Sequence, residues 1–272
     1  MIDTFKVGLV TQAKHSKFFW AISDNLVLIK RSTLHIFRSK DQLLGAVLQP
    51  IMFMVLFRYV FGGAVNTGGV SYVNFLVAGI LVQTAAFGGT FTATEVANDL
   101  QKGIMDRFKS LPMLDSSVLV GHVVADLVRN TISIIIMIIV ALLVGFRPTA
   151  SVLDWVMILG LLLTFTFAIS WASAVLGIVA KSVEAVQWMT FMTIFPLTFA
   201  SSAFVPTNSM PGILKVFAEN QPVTHVIDAI RALMLGTPIG DHGWIALAWC
   251  VAIIIISFIL VTILFRRSTR AT

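Results

Sequence analysis

Asp126 and Arg129 are the first residues in this sequence that could do chemistry where chemistry is costly. They stand three positions apart inside the apolar run Val118–Phe146, a spacing that puts both on one face of a helix. A charge at the centre of a bilayer costs roughly 2.5–3.5 kcal/mol on insertion scales, so such a pair either fixes packing or takes part in gating. Glu95 lies at the end of another apolar run, and Arg58 lies near the end of a third, from which it can snorkel. Catalytic patterns are absent. The sequence holds no phosphate loop (GxxxxGK followed by Ser or Thr), no HExxH, no GxSxG and no Cys/His metal spacing. The histidines His15, His35, His122, His225 and His242 are scattered, which argues against a haem-bearing bundle, and the lone Cys250 cannot form an internal disulfide. The reading is a chain with no cofactor or metal of its own and no enzymatic centre.

The elements that carry these residues follow from composition. The chain has 272 residues, 57% of them apolar and only 12% charged, against about 25% charged in an ordinary soluble domain. A membrane-spanning helix needs roughly 20 mostly apolar residues. Six runs qualify: about Leu43–Phe61, Tyr72–Thr94, Val118–Phe146, Trp155–Val179, Val186–Val205 and Trp244–Phe265. They are continuous and too long for barrel strands, which are near ten residues and alternate in polarity. The predicted fold is therefore an all-α membrane protein with six transmembrane helices, occupying residues 43–265.

Charge gives the orientation. With the N-terminus inside, the inner segments hold seven basic residues before span one, Lys102, Arg107 and Lys109 after span two, Lys181 after span four, and Arg266, Arg267 and Arg270 in the basic tail 266–272. The outer loops hold only Arg147, Lys215 and Arg231. This asymmetry predicts cytoplasmic N- and C-termini, and it accounts for the net charge of +6 without invoking nucleic acid.

Three pieces do not span. In the N-terminal segment 1–42, Phe19, Ile22, Leu26, Ile29 and Ile36 recur at helical spacing, which predicts an amphipathic helix in the cytoplasmic interface. The inner loop 98–117 puts Lys102, Asp106 and Lys109 on one helical face and Leu100, Ile104 and Phe108 on another, with Pro112 as a stop. A short helix held between two spans could serve as a lever for a soluble partner. The outer region 206–243 is long for a connection, and its apolar spacing predicts two short helices, about Gly212–Glu219 and Val223–Leu235.

Several strings resemble the permease subunits of type-2 ATP-binding-cassette exporters of the daunorubicin-resistance branch. They are LQPIMFMVLFRYVFGGAV, FLVAGILVQT, NDLQKGIMDRFKSLPM, VLVGHVVADLVRN, FPLTFASSAFVPTNSMPG and ENQPVTHVIDAIRAL, in family order from about Leu48 to Leu233. The resemblance implies an ATP-driven exporter of hydrophobic or amphiphilic substrates in the bacterial cell membrane. It implies two permeases, identical or paralogous, with two separate ATPase subunits that hold ATP and Mg. It assigns Asn98–Pro112 as the coupling helix, with Asp99, Leu100, Lys102, Gly103, Asp106, Arg107 and Phe108 facing the ATPase. Spans two and five would line the pathway, with Phe75, Phe87, Met189, Met192, Phe195 and Phe199 as candidates. The outer helices would be re-entrant. Glu95 departs from the small or apolar residue that relatives carry there.

Two other classes compete. A secondary transporter or channel needs no ATPase and would favour discontinuous helices and inverted repeats. A membrane-embedded lipid-modifying enzyme would need a convergent polar set, which the sequence does not display.

Overall fold

The computed structural model describes residues 40–65, 67, 69–103 and 117–268. The expected interfacial helix at Phe19–Phe37, the coupling residues Asp106, Arg107 and Phe108, and the end of the basic tail lie outside them. Among the described residues there are eight α-helices and no strand. They are α1 (Lys40–Leu56), α2 (Tyr72–Gln101), α3 (Ser117–Val144), α4 (Val152–Val179), α5 (Val183–Phe199), α6 (Gly212–Asn220), α7 (Pro222–Leu235) and α8 (His242–Ser268). α1 continues into one π-helical turn, Phe57–Phe61.

Five of these helices are long and apolar enough to cross a membrane: Leu44–Phe61 and stretches of α2, α3, α4 and α8. α5 has 17 residues, at the lower limit of roughly 17 for a spanning helix. The apolar run there extends to Val205, but the helix ends six residues earlier. Pro196 lies inside its last turn, Ala200 N–H bonds back to the Pro196 carbonyl, and the Ser201 hydroxyl donates to the Thr198 carbonyl. α2 runs longer than its apolar run. Nothing between Thr94 and Gln101 breaks a helix, and the stop comes at Gly103, whose φ of 63° is left-handed. Residues 98–101 are therefore the last turn of α2.

α2 is the axis of the bundle. It packs on α1, α3, α4, α5 and α7, and most of its side chains are buried. Small residues make this possible, because without a hydrophobic drive between helices in lipid, close backbone approach supplies the packing. A Cβ on Gly79 would lie 2.3 Å from the Ala203 carbonyl oxygen, and one on Gly177 of α4 would lie 2.5 Å from the Ala93 carbonyl oxygen. Gly79→Ala should therefore destabilise the fold by about 1–3 kcal/mol through overpacking. Gly160→Ala, with nothing within 4 Å of the added carbon, should not. Thermal unfolding in detergent checks both.

The bundle has two ends. The proximal end carries the C-terminus of α2, the start of α3 and the α4–α5 turn, and the Gln101 side chain of α2 donates to the Lys181 carbonyl of that turn. The distal end carries α6, α7 and the α3–α4 turn. There Thr149 N–H donates to the Met234 carbonyl, and Arg147 N–H donates to Asn74 Oδ1.

Candidate functional site

α5 repeats an aromatic residue at close to every fourth position, and the chain packs those rings into a ladder. Trp188 meets Phe191 edge-on, and Phe191 leads to Phe195 at 4.9 Å between centroids. Phe195 stacks on Phe199 at 4.2 Å, and Phe199 packs on Phe204 at 4.9 Å, which stacks on Phe57 at 4.3 Å. From Trp188 to Phe199 the ladder climbs about 16 Å of helix rise. It forms one wall of an open groove of about 610 Å³, closed on the other sides by α1 and α2 through Gln49, Phe53, Phe87, Thr90 and Phe91, with Gln187 at its proximal end. Trp188 and Met192 remain more than half exposed. A mostly aromatic surface with a few amides and hydroxyls can hold a large apolar molecule by ring contact and orient it by hydrogen bonds.

Of the expected pathway residues, Phe87, Phe195 and Phe199 line this groove. Met192 projects from the same helix, and Met189 is half-buried beside it. Phe75 lies elsewhere, beneath the Arg231 guanidinium at 3.8 Å from its centroid. Gln49, Phe53, Phe91, Trp188 and Phe191 were not singled out by sequence. The four-residue spacing of Phe191, Phe195 and Phe199 was a signal for Phe191.

Behind the groove Asp126 and Arg129 form a buried ion pair. Ser170 of α4 donates its hydroxyl to Asp126, so the carboxylate ties α3 to α4. The guanidinium lies 4.1 Å over the Phe91 ring. Glu95 is half-buried on α2, toward its proximal end.

At the proximal end Asp99 turns inward. Its carboxylate accepts a 2.9 Å bond from His122 Nε2 of α3, and both side chains are about one-tenth exposed. Leu100 packs against the buried cluster around Val96, Leu119 and Trp171, whereas Lys102 is exposed. His122 has this role only through the fold.

The ABC-2 type transporter family matches residues 24–235. This chain belongs to that family. It is 33% identical over 217 residues to a daunorubicin resistance ABC transporter permease protein of Streptomyces coeruleorubidus, covering 80% of this chain and 77% of that protein. It is 26% identical to a probable doxorubicin resistance ABC transporter permease protein of Mycobacterium tuberculosis, covering 83% and 82%. It is also 26% identical to the nodulation protein J of Rhizobium leguminosarum bv. trifolii, covering 84% and 87%. An ABC-2 permease is the non-catalytic membrane subunit of an exporter, and a separate ATPase hydrolyses the ATP.

The distal end of this ABC-2 permease holds a second polar network. Thr224, Asp228 and Arg231 of α7 stand at i, i+4 and i+7, so one face carries all three. Arg231 Nε donates to the Phe75 carbonyl at 3.1 Å, and its other nitrogens donate to Asp228 and to the Ser202 carbonyl at 2.6 Å each. Gln221 Nε2 donates to the Leu197 and Ala200 carbonyls, which satisfies the C-terminus of α5. These bonds pin α7 across the ends of α2 and α5.

α7 meets α8 through His225 and His242, whose Nδ1 atoms are 3.1 Å apart. One must donate and the other accept, so a proton on both breaks the bond. Burial, then the neighbouring His242, holds the His225 imidazole below its ordinary value of 6.5, with Asp228 opposing. A folded-state value below the unfolded one gives stability that is complete above pH 6.5 and is lost as the pH falls through the lowered value. The unfolding temperature should fall between pH 7.5 and 5.5, and His225→Phe should flatten that dependence.

Proposed function

We propose that the aromatic groove between α1, α2 and α5 is the substrate pathway of an exporter for amphiphilic molecules. The supporting observation is the ladder from Trp188 to Phe204, which runs along most of α5 and ends beside Ser202, in the network that pins α7. On this reading six helices span the bacterial cell membrane, α5 being the short sixth, with both termini in the cytoplasm. The proximal end faces two copies of the ATPase, and the segment Asp99–Phe108 receives their motion. The groove opens toward a second permease, identical or paralogous, so that two such faces enclose the substrate. α6 and α7 are re-entrant and close the exit, with Ile213, Val216 and Phe217 exposed to the lipid. Drugs of the kind named for the relatives, daunorubicin and doxorubicin, combine a planar ring system with polar groups and suit such a wall.

Inside-out vesicles holding this chain and its ATPase should accumulate doxorubicin only when ATP is supplied. The double variant Phe195→Ala, Phe199→Ala should reduce that uptake about tenfold, since each aromatic contact contributes about 0.5–1.5 kcal/mol beyond its area. Uptake that proceeds without nucleotide, or without the ATPase, would make the chain an autonomous carrier and end this reading.

A further inference from the structure

A small polar cavity lies against the inner wall of the groove, between α1, α2 and α3. Gln83, Arg129, Asn130 and Ser133 line it, and each is at most 4% exposed. The cavity shares Gln49, Phe53, Phe87 and Phe91 with the groove, so it lies directly beside the aromatic wall. Both polar atoms of the Gln83 side chain, Arg129 Nε and Ser133 Oγ have no hydrogen-bond partner among the described residues. Buried polar groups are normally paired, and here four unpaired atoms belong to three residues that line one space. That space, about 30 Å³, exceeds the roughly 10–15 Å³ that one water occupies by this measure. It admits a hydroxyl or a carbonyl, not a ring.

The charge of the cavity selects among polar groups. Arg129 is neutralised by Asp126, which also accepts from Ser170. Asn130 spends one amide hydrogen on the Asp126 carbonyl. What remains, with the Arg129 charge balanced by Asp126, is a set of donors with no net charge, Gln83 Nε2, Arg129 Nε and Ser133 Oγ, with Gln83 Oε1 as acceptor. A carboxylate or phosphate would enter without a free counter-charge and would bear the cost of desolvation. A hydroxyl or carbonyl oxygen would accept from Gln83 or Arg129, and a hydroxyl could also donate to Gln83 Oε1. We propose that this cavity is a recognition subsite for a neutral oxygen-bearing group on a substrate whose ring system lies in the aromatic groove. The proposal rests on the groove being the substrate pathway and adds the chemical class that the pathway prefers.

The test uses the full chain with its ATPase in nanodiscs and three probes with one ring system: 1-butylpyrene, 1-pyrenebutanol and 1-pyrenebutyrate. Binding is read as energy transfer from Trp188, with Trp188→Phe as the blank for probe dissolved in lipid. Wild type should bind pyrenebutanol about tenfold more tightly than butylpyrene, the effect of one or two buried hydrogen bonds, and more tightly than pyrenebutyrate. Gln83→Leu should erase the preference for the alcohol while leaving butylpyrene affinity in place. Ser133→Ala, a smaller change, should reduce the preference and guards against a folding defect in the first variant. If butylpyrene and pyrenebutanol bind equally, or if Gln83→Leu and Ser133→Ala keep the preference, the subsite is overturned while the groove stands. If pyrenebutyrate binds most tightly, the neutral assignment is overturned. If no probe gives Trp188-dependent transfer, the groove itself is not the pathway and both readings fall.

Discussion

Asp126→Ala is expected to destabilise the bundle by about 3–5 kcal/mol, the usual cost of leaving one member of a buried ion pair alone. Asp126 is fully buried, Arg129 nearly so. Removing the carboxylate leaves the guanidinium with the face of Phe91 and no anion, and it frees the Ser170 hydroxyl as well. The double replacement Asp126→Leu with Arg129→Met should behave differently. It removes both charges while keeping volume, and such exchanges are commonly neutral or stabilising. Thermal unfolding of the two variants in detergent separates the possibilities. If the double variant is as stable as wild type and still supports ATP-driven transport, the pair only fixes the packing of α3 against α4. If it is stable and transport stops, the charges act in the transport cycle. A single variant that unfolds with wild type would show that the carboxylate contributes little where it lies.

The sequence made some of this visible and concealed the rest for identifiable reasons. Long apolar runs were legible because a membrane helix must satisfy its own backbone and cover itself with apolar side chains. The end of α5 was not, because the turn at Ala200 is made by residues still apolar enough to continue the run. Ser201 carries the break through local bonds to the backbone that hydropathy ignores. Arg231 reads as a loop charge outside the membrane, yet it is largely enclosed and makes bonds to Phe75 and Ser202. The spacing of Thr224, Asp228 and Arg231 is that of one helical face, but nothing in it names the partner helices. Gln83, Asn130 and Ser133 were harder still. Each is a solitary polar residue in an apolar helix, and only the packing of α2 on α3 brings them to one space. A Cβ on Gly88 would meet the Asn130 amide at 2.1 Å, so that glycine sets the close approach on which the cavity depends.

The same reasoning applies at the proximal end, where Asp99, expected to face a soluble partner, is turned inward onto α3. Asp99 is held by His122, and Gln101 is held by the Lys181 carbonyl of the α4–α5 turn. The last turn of α2 is thereby fastened to α3 and close to the start of α5, the helix that carries the aromatic ladder. A displacement of the last turn of α2 would reach α3 and the start of α5 through these bonds. Hydrogen bonds to charged groups contribute about 1.5–3 kcal/mol, and each 1.4 kcal/mol lost from a coupling free energy is about tenfold in the coupling. Asp99→Ala is accordingly expected to lower the amount of substrate moved per ATP hydrolysed by about tenfold or more in vesicles containing the ATPase. ATP hydrolysis itself should continue, because the catalytic machinery is on the other chain. His122→Ala should reproduce the defect, and the double variant should be no worse than either single change, since both remove one bond. Lys102→Ala, an exposed residue on the next turn, separates transmission from contact. If Lys102→Ala abolishes assembly with the ATPase while Asp99→Ala preserves it, the carboxylate acts behind the docking surface. If Asp99→Ala leaves the ratio of transport to hydrolysis at the wild-type value, the fastening of α2 to α3 transmits nothing, and the motion must travel by another helix.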